Sequence, residues 1–134
     1  MKIRKSKIVI ILLSIWMFSF PVSSRLYKVQ ADEWFDSYNS KISWKFERAY
    51  LHGFAAYLQS HPDYIGYIVF YTGKKDKVDK IKSQIRRAKN FLISKENIDA
   101  KRIIIIDAGL RYDTTEIILQ PILKSQEPPK FWNR

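Results

Sequence analysis

The chain has 134 residues with 24 Lys and Arg against 13 Asp and Glu, a formal charge of +11, and 46% hydrophobic residues. An apolar content this high excludes a disordered polyelectrolyte. With no cysteine, both a disulfide framework and a lipid-bearing cysteine anchor are excluded.

The first seven residues, MKIRKSK, are basic and carry no acid, and Ile8–Phe20 is a continuous apolar run. That run is short against the ~20 residues of a membrane span. Pro21 and small residues follow it, which completes the three-part pattern of a secretory signal peptide. Residues 1–31 are therefore expected to be a signal, cleaved after Ser24 or after Ala31. The alternative is an uncleaved segment that anchors the protein in the inner membrane. Either way the remainder is expected to be exported, to the periplasm or cell envelope. Removing residues 1–31 takes away six of the 24 cations and no acid, so 18 against 13 leaves a charge of +5. Residues 32–122 suit one small domain, and 123–134 are expected to form a loose tail.

Glu33–Asn39 reads as a first strand, ended by a turn at Asn39-Ser40. Ser43 is placed to cap a helix over Trp44–Ser60, where Trp44, Leu51, Phe54 and Leu58 recur at helical spacing before Pro62 ends it. Tyr64–Thr72 is β-branched and aromatic throughout, as a central strand should be. Val78, Ile81, Ile85, Ala88 and Leu92 predict one apolar stripe on a second helix, closed by Asn97 in the left-handed conformation. Arg102–Asp107 reads as a second buried strand and Ala108–Asp113 as a turn. In the last strand Thr115, Ile117 and Leu119 alternate with Glu116, Ile118 and Gln120. A strand, a helix and a strand of these lengths predict a right-handed crossover with parallel strands. The expected fold class is α+β, a two-layer β-α-β-α-β-β arrangement with both helices on one face of a mixed four-stranded sheet.

The run FLISKENIDAKRI (Phe91–Ile103) resembles the end of the second helix in the OmpA C-terminal family, cell-envelope domains that bind peptidoglycan. FDSYNSKI resembles the opening strand of that family and GYIVFYTG its central strand, so the likeness covers about Phe35 to Pro121. The resemblance implies a binding clamp for diaminopimelate. An Asp after the central strand meets the amine, and an Arg on the following helix meets the carboxylate in bidentate geometry. Here Gly73 stands at the Asp position, and an ungapped count from Phe91-Leu92 puts Gln84 at the Arg position. Arg87-Ala88 repeats the Arg-Ala dipeptide about one turn further on, on the face expected to lie opposite the apolar stripe. Asp76 stands either as a substitute acid or as a helix cap. Thr114-Thr115 lies near the place of the family's paired arginines. The resemblance therefore implies the fold without the usual Asp/Arg ligand pair.

A basic corner remains. Lys74, Lys75, Lys77, Lys80, Lys82, Arg86, Arg87 and Lys89 face only Asp76 and Asp79. Such a run is either a solvated helix face or a ligand site, since open sheets bind ligands at strand ends and helix N-termini attract anions. Thr72, Lys74, Lys75, Asp76, Arg87 and Arg111 are the candidate ligand residues. Peptidoglycan or another anionic envelope polymer is the expected partner. Nucleic acid is disfavoured, because no aromatic interleaves with the lysines and the chain is expected to be exported.

No nucleophile or zinc motif is present. His52 and His61 are too isolated to suggest a metal, and Asp107 has no partner base. Neither a catalytic residue nor a cofactor is expected, and the chain reads as a non-catalytic binding domain. A second reading rests on the aromatics. Tyr67 and Tyr71 share a face with Ile65 and Val69, while Ile68 and Phe70 are expected to divide between the two faces. That aromatic face is covered by Trp34-Phe35 or by Phe131 and Trp132, or it docks an envelope protein partner.

Overall fold

The computed structural model describes residues 35–130, so the expected signal, its cleavage sites, Trp34, Phe131 and Trp132 lie outside the described residues. Strand β1 (Asp36–Asn39) leads into helix α1 (Trp44–Ser60), strand β2 (Tyr64–Thr72), helix α2 (Val78–Ser94), a short 3-10 turn (Ala100–Arg102) and strands β3 (Ile103–Leu110) and β4 (Glu116–Leu123). The sheet has the order β1-β4-β2-β3. β2 and β3 are parallel, and β4 runs antiparallel to both β1 and β2. The protein is α+β, with both helices packed on a mixed four-stranded sheet.

Alternation along the strands decides which residues meet the helices. Ile68, Phe70, Ile103, Ile117 and Leu119 pack with Leu51, Phe54, Ala55 and Leu58 of α1 and with Ile81, Ile85, Ala88 and Leu92 of α2. Burying each large side chain here is worth about 1.5–3 kcal/mol. Ile68 and Phe70 are two residues apart and both face the helices, so they do not divide between the faces. Val78 is 45% exposed, so the apolar stripe of α2 begins at Ile81.

The opposite face carries a second apolar cluster of Tyr67, Val69, Tyr71, Ala108, Ile118 and Ile122, with Ile65 and Ile106 beside it. Ile118 thus alternates with Ile117 in direction while both are buried. Phe35 does not cover this face. Its ring lies 5.5 Å from Phe54 and 5.2 Å from Tyr57, against α1.

Ser43 begins α1 with its carbonyl, which accepts from the amides of Phe46 and Glu47; its side chain makes no capping hydrogen bond. Asn97 has φ 56°, and the Ile98 amide reaches back to the Leu92 carbonyl at 3.0 Å, closing the C-terminal end of α2 as expected. β3 runs on through Ala108 and Gly109 to Leu110, beyond its expected end. A register shift opposite Phe70 and Thr72 and a φ of 89° at Gly109 absorb the added residue. Lys124, at the start of the expected loose tail, donates its amide to the Asp63 carbonyl at 2.8 Å. Among the described residues no helix is long and apolar enough to cross a membrane.

Candidate functional site

The strand end expected to receive a ligand is closed by the chain itself. The Gly73 amide donates to Thr115 Oγ1 at 2.9 Å. The Lys74 amide donates to the Tyr112 carbonyl at 2.8 Å, and that of Lys75 to the Asp113 carbonyl at 3.4 Å. A Cβ on Gly73 would lie 2.5 Å from the Thr115 nitrogen and 2.6 Å from the Asp113 oxygen. Glycine is therefore required at 73 by the β3–β4 loop lying across it, and no acid fits there.

Asp76 does not cap α2, and one oxygen of its carboxylate is taken up by the chain itself. Lys77 occupies the cap position. The Asp76 carboxylate accepts from the Thr115 amide at 2.8 Å, from Thr115 Oγ1 at 2.6 Å and from Ser40 Oγ at 3.4 Å. The Thr115 hydroxyl bond, then the Thr115 amide bond, hold its carboxyl below the ordinary aspartate value. Asp76 joins three loops into one rigid end of the domain.

The six expected site residues separate into distinct places. Thr72 is buried at 4% exposure, and the Lys74 and Lys75 side chains are exposed. Arg111 stacks 5.1 Å from the Tyr71 ring and 5.2 Å from the Tyr112 ring, toward the helix-free face. Arg87 lies elsewhere, against α1, and the expectation that it lies opposite the apolar stripe needs correction. Arg87 NH2 donates to Glu47 Oε2 at 2.8 Å, and its guanidinium carbon sits 4.2 Å from the Trp44 ring centre. The ion pair and the aromatic face hold the guanidinium in one place.

Glu47 anchors this arrangement. It is fully buried between the helices and accepts from Tyr38 OH at 3.1 Å and Gln84 Nε2 at 3.3 Å on its other oxygen. Burial, followed by the Glu47 charge and hydrogen bond, pushes the Tyr38 phenol well above its ordinary value, so it stays a donor. Sequence reasoning missed Glu47, although a signal exists. It stands three residues after Trp44 and four before Leu51, inside the stripe of α1 that faces the core.

Beside this group opens a cleft of about 510 Å3, lined by Ser40, Lys41, Ile42, Trp44, Lys80, Ser83, Gln84 and Arg87. Its lining holds three cations and no carboxylate. Ser83 and the second N–H of the Gln84 amide add side-chain donors, the Ser40 hydroxyl being given to Asp76, and Ile42 and Trp44 supply an apolar wall. Such a cleft suits a carboxylate or phosphate joined to a partly apolar group. Among the described residues no cluster of His, Cys, Asp and Glu could hold a metal ion. No protein family matches the sequence, and no characterised protein matches it either.

Proposed function

We infer that the chain is an exported cell-envelope domain that binds an anionic envelope polymer, such as the carboxylate-bearing peptides of peptidoglycan, without catalysing a reaction. The observation that carries this reading is the cleft between the β1–α1 loop and α2. Lys41, Lys80 and Arg87 converge there with no acid in the lining, and Glu47 and Trp44 hold Arg87 in place. The resemblance of Phe91–Ile103 to the OmpA C-terminal family supports the envelope setting, and the order of elements agrees with that resemblance. Fold alone does not assign function. The recognition chemistry differs from the clamp which that resemblance implies, because Gln84 and Gly73 replace its charged pair and Arg87 approaches from the next turn.

Co-sedimentation with isolated sacculi tests the reading. The Lys41→Glu/Lys80→Glu variant, altered at two exposed positions, is expected to keep its melting temperature and lose about tenfold or more in binding. Undiminished binding by this folded variant would remove the cleft from consideration.

A second reading has its own observation. The helix-free sheet face gathers Tyr67, Val69, Tyr71, Ile118 and Ile122 into one apolar cluster; each is at most 8% exposed, so an assembly partner would meet the rim of that cluster rather than a bare apolar surface. Loss of a co-purifying envelope protein in Tyr67→Glu, with sacculus binding intact, would favour it.

A further inference from the structure

The basic helix has two flanks, and the cleft above uses only one of them. Lys80, Gln84 and Arg87 turn toward α1. Lys82 and Arg86, four residues apart and so on one face of the helix, turn toward β3. There they border a groove of about 350 Å3 whose other lining residues are Phe70, Ile85, Ile105 and Asp107. Phe70 and Ile85 are almost fully buried, while Lys82, Arg86 and Asp107 are exposed, so the groove has an apolar floor and a rim of two cations against one acid.

The groove runs beside an edge strand. β3 is the last strand of the sheet, and among the described residues nothing pairs with its outer side. Natural edges are usually blunted by shortness, proline, charge or bulges. The β1 edge follows that rule with four residues. β3 has eight, four of them consecutive isoleucines, and its one irregularity comes late, after Asp107. Ile104 is 37% exposed on the other side of the strand, and Ile105 and Ile106 are only partly buried. An edge left long, regular and apolar over Ile103–Ile106 is a template for strand addition.

We propose that the β3 edge receives an extended, alternating acidic–apolar segment of a protein partner as a fifth strand. Its acidic side chains lie over the groove against Lys82 and Arg86, and its apolar side chains continue the row of Ile104 and Ile106. The period of two in a strand makes both contacts available to one segment. Charge selects this occupant over a second copy of the chain, because β3-to-β3 pairing would bring the Lys82 and Arg86 cations of two molecules together. The surface is independent of the polymer cleft and does not rest on that reading.

The test uses two seven-residue probe peptides, one alternating glutamate with valine and one alternating lysine with valine. Each is titrated into isotope-labelled full-length protein while backbone amide resonances are followed. The glutamate peptide is expected to shift amides of Ile103–Asp107 and to bind at least about tenfold more tightly than the lysine peptide. Lys82→Glu/Arg86→Glu, which leaves the core untouched, is expected to reverse that preference. Equal binding of the two peptides would overturn the proposal, as would the absence of any β3 shift at millimolar peptide. A concentration-dependent dimer with β3 amides protected before peptide is added would also overturn it.

Discussion

At the scale of single residues, Glu47 governs the site. A carboxylate with no solvent exposure needs every bond it has, and its two oxygens take donors from Tyr38, Gln84 and Arg87. Arg87→Ala removes the charged donor while leaving the acid buried. Because Arg87 is itself half exposed, solvent screens part of the loss, and denaturant unfolding should show about 1–3 kcal/mol of destabilisation. Tyr38→Phe should cost a comparable amount and leave the cleft cations in place, which separates damage to the scaffold from damage to binding. Gly73→Asp, the change that would put an acid where the resembled family carries one, should instead force the β3–β4 loop away and lower stability by more than about 1 kcal/mol. Tighter diaminopimelate binding by a stable Gly73→Asp protein would refute that steric account. Asp76 predicts acid sensitivity. Its folded value is depressed from 3.8, so its contribution is present above the ordinary aspartate value and is lost as pH falls through the folded one. Thermal melts taken from about pH 5 downward should therefore fall more steeply for the parent than for Asp76→Asn.

At the scale of elements, much was legible because the period of apolar residues is a direct consequence of burial on one face. The helix predicted over Trp44–Ser60 and the strand over Tyr64–Thr72 match α1 and β2. Asn97 was readable as a helix end because asparagine tolerates positive φ. The end of β3 was not readable, since Ala108-Gly109 looks like a turn until strand β2 is known to continue beside it to Thr72. The site was legible only in part for the same reason: spacing places Lys80, Arg87 and Glu47 on helix faces, but says nothing of which helix lies against which. Arg102 shows what remains hidden. In sequence it stands at the head of an isoleucine run as the start of a strand, yet its guanidinium donates to the carbonyls of Leu58, His61 and Tyr64 and so ties the end of α1 to the start of β2. Arg102→Ala should cost about 1–3 kcal/mol through the loss of these charge-assisted bonds, and amide exchange should quicken first at residues 58–64.

At the scale of the whole molecule, the account rests on charge that is local rather than global. The formal charge of +11 includes six cations in residues 1–31, and the remaining +5 is concentrated on and around α2. An exposed field of this kind reaches about 8 Å at physiological salt, so binding governed by it should weaken steeply as salt is raised. If the leader is processed as proposed, N-terminal sequencing of the envelope protein should begin at Arg25 or Asp32. Intact MKIRKSK on that protein would favour an anchor. The central claim is that the cleft between the β1–α1 loop and α2 takes an anionic group of the envelope polymer. The most direct measurement is a titration of isotope-labelled protein with soluble peptidoglycan fragments, following the Trp44 indole N–H and the Arg87 side-chain resonances. The account predicts that both shift together, along with the Gln84 side-chain amide, and that the shifts fade as salt rises. Saturable binding that leaves Trp44, Gln84 and Arg87 unmoved, with shifts gathered instead on Tyr67 and Tyr71, would contradict it.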